Sequence, residues 1–411
     1  MIAYRIILTV CFALFLSSCA ATPILTGKGD MSREIKQKAP IVDKVDVSPD
    51  GRYVLSGGLD SFILWDILQG KKIQTFAHPK TSALWADRTA VAFSPDGKYF
   101  ASGSKGTKLW DLSTRQEITT FDDNRAWFVT FSPDGKHILC GSVGEPAVFS
   151  KSKPPTMKIF DVATKGEIKD FKLQNFVYSA VYSPDGRYIL SGGQDRKMTL
   201  WDISMGKPIK EAVVGSVQMT VAISPDGEYI LSGEQDNSVT LWNARNLTQI
   251  KRFVGHTGME GISSVAFSPD GKYGLSAAQD GKVIIWDLVS GAEWKALTGH
   301  TIRTGSAFSI SAKFSPNGKH IISAGDASTR IWDISTGEEV ASMIAFEDGE
   351  WIITTSNGYY NSSPKGDQYL SVKVGGKDYT IEQLRETFYR PDLVKLAMSG
   401  GSLKEFRKLA D

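Results

Sequence analysis

Cysteine is scarce in this 411-residue chain: Cys11, Cys19 and Cys140 are the whole supply. Three thiols with no Cys-x-x-Cys spacing exclude a disulfide scaffold and a cysteine zinc site. The five histidines are scattered, so no metal cluster is expected. Charge of one sign is also missing. Lys and Arg total 47 against 45 Asp and Glu, a formal charge of +2, and no long single-sign run occurs, which removes the electrostatic case for nucleic acid. No Gly-x-Gly-x-x-Gly or P-loop leads from a strand into a helix, so nothing calls for a nucleotide or another cofactor. Long apolar runs are lacking too. The longest at the start, Ile6 to Leu16, is too short to span a bilayer as a mature helix. What remains, at 41% hydrophobic residues, is the composition of a packed fold.

The first residues read as an export signal, residues 1–18: Arg5, the apolar run, then Ser17, Ser18 and Cys19. Leu16-Ser17-Ser18-Cys19 resembles a bacterial lipobox, which implies that Cys19 is lipidated and becomes the mature N-terminus. Ordinary cleavage near Ala20 or Ala21 is the alternative. With Cys11 removed and Cys19 acylated, Cys140 is the one thiol left and no disulfide forms. Ala20 follows the cysteine where an Asp would retain a lipoprotein, so sorting rules of Gram-negative lipoproteins imply the outer membrane, facing the periplasm. Residues 19–38 then serve as a tether to the membrane.

Self-similarity dominates the rest. Ser-Pro-Asp-Gly begins at Ser48, Ser94, Ser132, Ser183, Ser224 and Ser268, and Ser-Pro-Asn-Gly at Ser315, in steps of 46, 38, 51, 41, 44 and 47 residues. Alternating apolar stretches flank each copy, which predicts strand, tight turn, strand. About 17 residues on, and later in the third copy, comes an aromatic–acidic pair: Trp65-Asp66, Trp110-Asp111, Phe160-Asp161, Trp201-Asp202, Trp242-Asn243, Trp286-Asp287 and Trp332-Asp333. A fourth strand follows each. Four strands per repeat with a Trp-Asp ending, plus Gly255-His256 and Gly299-His300, resemble the WD40 repeat. The resemblance covers residues 39–346 and implies an all-β fold, a β-propeller of four-stranded blades packed around an axis, forming a monomeric ring.

In WD40 proteins a His before the first strand, a Ser in the second, an Asp in the next turn and the Trp of the third form a hydrogen-bond chain. The resemblance assigns His256, Ser276, Asp280 and Trp286 to one such chain and His300, Ser323, Asp326 and Trp332 to another. These residues would otherwise pass for hydrolase parts; a shared structural network satisfies them instead. Blades four and five keep Asp195 with Trp201 and Asp236 with Trp242 but lack the His. Blade two has Lys105 and Gly106 where the Asp belongs. Networks in blades one to five are therefore expected to be incomplete.

The regular turns all open to one face of the disc and the irregular connections to the other. The second face is expected to bind a protein partner, through Trp85, Arg125, Trp127, Phe149, Met259, Arg303 and Phe308, residue types that interfaces favour. Trp127 could equally begin a strand and pack between blades.

Past blade seven, Trp351 to Tyr360 echoes strand, Ser-Asn-Gly turn, strand, and Tyr369 to Val374 reads as a third strand. A fourth, Glu34 to Lys38, would come from the other end of the chain. Residues 347–376 are thus expected to form a degenerate eighth blade closing the ring; the rival is a seven-bladed ring with these segments packed outside. Residues 377–411 read as a helical tail, with helices at Ile381 to Phe388, Asp392 to Met398 and Ser402 to Leu409. Phe388 to Val394 resembles a segment that ends the WD40 part of bacterial proteins carrying a caspase-like peptidase domain; with Asp411 so near, no peptidase domain is expected to follow and no catalytic role is carried over. The expected function is a non-catalytic binding scaffold anchored in the cell envelope. The alternatives are an adaptor for a separately encoded caspase-like peptidase and an enzyme with its site at the central channel.

Overall fold

The computed structural model describes residues 23–24, 31–35, 39–58, 61–78, 90–142, 154–258, 261–301, 309–374, 377–379, 385–386 and 388–401. Each Ser-Pro-Asp-Gly sequence is a turn whose polar atoms satisfy one another. In the sixth copy the Ser268 hydroxyl donates to Asp270 (2.6 Å) and accepts the Tyr273 amide (3.0 Å), while the Lys272 amide reaches Asp270 (3.2 Å). Gly271 sits at φ +70, the left-handed region where a Cβ is costly. The turn joins an inner strand to a second, as in Ile262–Phe267 and Tyr273–Ala278, with Lys282–Asp287 and Glu293–Thr298 completing the blade in that order.

The pairing between third and fourth strands slips at the aromatic residue in every blade, at Trp65, Trp110, Phe160, Trp201, Trp242, Trp286 and Trp332. A bulge re-aims a side chain, and the six tryptophans each turn their indole N–H onto a second-strand serine. In blade two the run Tyr99–Asp111 carries no loop. It doubles back on itself, since the Leu112 amide donates to the Lys98 carbonyl (2.9 Å).

The core lies between blades. Leu55, Phe62, Leu64 and Phe76 of blade one meet Phe93, Phe100 and Trp110 of blade two, with Phe62 and Phe76 stacked at 4.6 Å and edge-on to Trp110. Aromatic contacts of this kind add to the area they bury.

Seven blades close the ring. The inner strand of blade seven, Ser311–Phe314, lies beside Val42–Val47 of blade one, and the Val42 amide donates to the Asp326 carbonyl (3.3 Å). This corrects the expectation of an eighth blade. Trp351–Thr355 and Tyr360–Ser362 pair outside Glu339–Ala345 and extend blade seven to a six-stranded sheet. The reason is the composition of that fourth strand. Glu-Val-Ala-Ser-Met-Ile-Ala is buried over its last five residues, whereas the fourth strand of blade four, Lys207–Val213, is almost wholly exposed. An apolar edge has to be covered, and the nearest chain covers it. The expected pairing of the chain's two ends does occur. Met31–Ile35 runs antiparallel to Leu370–Val374, in a small sheet of its own rather than as a blade.

Of the tail, helix α1 (Pro391–Met398) is described; residues 381–384 and 402–409 of the other expected helices lie outside the described residues. Leu393, Val394, Ala397 and Met398 are buried. Val394 and Met398 join the cluster shared by blades one and seven. Val394 and Lys395 meet Gly70 of blade one, and Gly400 meets His320 of blade seven. The helix therefore spans the ring's closing seam on the face of the regular turns.

Candidate binding faces and the blade polar chains

Blade six contains the expected chain. His256 Nε2 lies 2.8 Å from the Ser276 oxygen, which accepts the Trp286 N–H at 2.8 Å, and His256 Nδ1 lies 3.1 Å from both Asp280 oxygens. The Thr257 and Lys282 amides also donate to Asp280. Burial pushes this carboxyl up, but the hydrogen bonds and the histidine outweigh it and hold it below its ordinary value. In blade seven, His300 Nε2 lies 2.7 Å from Ser323, which accepts Trp332 N–H (2.8 Å). There Nδ1 stands back 3.5 Å from Asp326, and Arg330 joins, 3.6 Å from Asp326 and 2.7 Å from Glu339. Asp326 is driven far below the ordinary carboxylate range: burial opposes this, and His300 and Arg330 prevail.

Blades five and one close their serines in ways the repeat pattern did not reveal. In blade five Glu234, buried at 2% exposure, accepts the Ser232 and Ser238 hydroxyls (both 3.0 Å), and Ser232 accepts Trp242 N–H. The expectation of an incomplete network is wrong there: a carboxylate replaces the imidazole. In blade one Ser56 bonds Thr329 Oγ1 of blade seven at 2.6 Å, across the seam. In blade three both polar members are gone. Phe160 stands in the tryptophan position and buried Cys140 in the serine position, so no indole N–H asks for an acceptor. Burial raises the Cys140 thiol to about 12, which makes it inert.

The central channel is a cavity of about 240 Å³ walled by the seven inner strands. Its two ends differ. Toward the regular turns lie Asp46 and Lys313. Asp46 accepts the Phe93 amide (2.7 Å), tying blade one to blade two, and burial raises its carboxyl despite the nearby Lys313. Toward the other face lie Trp127 and Tyr178, ring centres 6.2 Å apart. Trp127, one of the expected partner residues, is half-buried in this wall rather than borne on a free loop. Arg125 ends the strand Glu117–Arg125, paired with Lys105, rather than standing in a connection. Cys19, Trp85, Phe149, Met259, Arg303 and Phe308 lie outside the described residues.

A ring of seven such blades defines the class: a seven-bladed β-propeller built of WD40 repeats. Residues 33–66, 70–111, 247–287 and 292–333 match the family model "WD domain, G-beta repeat". Among similar proteins are the small ribosomal subunit protein RACK1 of Caenorhabditis elegans (38% identical over 80 residues, 19% of this chain and 22% of the relative), the serine-threonine kinase receptor-associated protein of Gallus gallus (27% over 159 residues, 38% and 42%) and Protein HIR1 of Eremothecium gossypii (28% over 181 residues, 37% and 21%). The chain spans less than half the length of these curated relatives. Residues 147–236 also match the cytochrome D1 heme domain model. That stretch contains no histidine and no cysteine, and its Met157 and Met198 are fully buried between blades.

Proposed function

We propose that this protein is a non-catalytic scaffold, lipid-anchored in the bacterial cell envelope through Cys19, that binds a protein partner on the face carrying the inter-blade connections. The unequal chemistry of the two faces carries this reading. On one face the turns spend their polar atoms internally, and α1 covers the closing seam. On the other lies the Trp127–Tyr178 pair, and the repeat pattern directs every long connection to the same side. Loops on a rigid scaffold commonly carry recognition. The buried apolar side of α1 is committed to the ring, which favours this face over the tail as the docking surface. The lipobox-like Leu16-Ser17-Ser18-Cys19 supports the anchor, and Ala20 supports the outer membrane. Two experiments test the reading. Cys19→Ser should move the protein from the membrane fraction to the soluble fraction; continued membrane association after this change sinks the anchor. Alanine at Trp85 and Arg303 should abolish partner capture. Capture that survives those changes but is lost on substituting turn-face residues sinks the face assignment.

A further inference from the structure

In blade six the imidazole of His256 is clamped between a serine and a carboxylate four residues apart. Its Nε2 faces the Ser276 hydroxyl and its Nδ1 faces Asp280. Blade four keeps the clamp without the ring. Ser191, 3% exposed, accepts the Trp201 N–H at 2.8 Å, a bond that leaves its own proton to donate. Asp195 follows four residues later, its Oδ1 accepting the Lys197 amide (3.1 Å) as Asp280 accepts that of Lys282 (3.1 Å).

His256 stands three residues after Phe253, which pairs with Val239. The matching count from Phe171, which pairs with Met157, ends on Gln174, and Gln174 is exposed. Where the ring would lie there is a cavity of about 360 Å³, lined among others by Gln174, Phe176, Ser191, Asp195 and Trp201. Blade five also lacks the histidine, but Glu234 occupies its serine.

The chain cannot supply the missing ring itself. Its five histidines are all placed elsewhere: His78 packs on Phe62, His137 lies near Asp161, His256 and His300 hold their own chains, and His320 meets Gly400. A half-built polar site of this kind rewards a group that completes it.

We propose that the blade-four cavity takes an imidazole ring from another molecule, the side chain of a histidine on the bound partner. Its Nδ1–H would donate to Asp195 and its Nε2 would accept the Ser191 hydroxyl. The inference rests on the reading that this face receives the partner and names one group the partner presents there.

The test follows thermal unfolding of the full chain at pH 8 with free imidazole, with a blocked Gly-His-Gly peptide, and with neither, at matched ionic strength. Imidazole and the peptide, in excess over their dissociation constants, should each raise the wild-type Tm by about 2 °C. Gln174→His should raise the Tm unaided and lose the response, because its own ring fills the site. Ser191→Ala, or Asp195→Asn if that variant fails to fold, should lose the response without the gain. A wild type indifferent to imidazole overturns the proposal, and so does an equal response in Gln174→His. A response to imidazole but not to the peptide overturns the partner-histidine assignment. No partner enters this measurement, so its failure leaves the Trp85 and Arg303 capture experiment standing, and the reverse holds too.

Discussion

Blades three and six share a backbone plan and differ in what fills it. Blade six carries a charged chain from His256 through Ser276 to Trp286, anchored on Asp280. Blade three puts Cys140 and Phe160 in the serine and tryptophan positions and needs no such chain. The two solutions agree on one rule: a buried donor and its acceptor are kept together or lost together. Mixed states are the costly ones, and blade five shows that the rule constrains the chemistry rather than the residue, since Glu234 does for Ser232 what His256 does for Ser276.

The comparison can be broken most forcefully in blade seven. Asp326→Ala removes the buried carboxylate that faces His300 and the Thr301 and Ser328 amides, leaving Arg330 only Glu339 as a counter-charge, and should cost about 3–5 kcal/mol, read from urea unfolding. A loss below about 1 kcal/mol would show that these charges find water instead. The acid limb of the stability profile tests the same carboxylates. Asp280 and Asp326 both have folded pKa values below their unfolded values, so the native state binds fewer protons. Their contribution is present above about pH 4 and is lost as pH falls toward the depressed folded values. Asp280→Asn should flatten that limb. Next in size, Ser276→Ala orphans the Trp286 N–H and one imidazole nitrogen and should cost about 2 kcal/mol.

Blade three sharpens the rule from the other side. Cys140→Ser places a hydroxyl where no indole waits and should cost about 1–2 kcal/mol. Adding Phe160→Trp should recover part of that loss, which a double-mutant cycle would read as favourable coupling. The smallest effect is expected of Glu234→Gln. Its amide oxygen still accepts one serine hydroxyl, so about 0.5–1.5 kcal/mol should be lost.

The seven turns and the fourfold strand pattern were legible because their partners lie close in sequence. Ser268, Asp270 and Tyr273 satisfy one another within five residues, and a period exposes such units. The chains at His256 and His300 were legible only through the WD40 resemblance, which assigns a role to each member at its place in the repeat. What escaped was set by neighbours in space. Ser56 finds Thr329 from 273 residues away, and no local signal marks such a partner. Glu234 stands immediately before a turn, where an acidic residue reads as solvent-facing, yet it is buried. The six-stranded sheet was signalled after all, by the apolar run from Ala341 to Phe346. An outer strand of that composition asks for a cover and is no signpost to another blade. The clamp in blade four shows the same limit: Asp195 was visible at its spacing from Trp201, but the cavity it lines with Ser191 was not.

Helix α1 has a consequence in time as well as in space. The cluster that joins blade one to blade seven includes Val394 and Met398. Blade one leaves the ribosome, or a membrane pore, more than three hundred residues before them. The first blade must therefore wait, with one flank bare, while six more are delivered and fold. Blade seven closes the circle, and the arrival of the tail then clamps the seam. A chain interrupted before residue 391 would carry every blade and still lack its clasp.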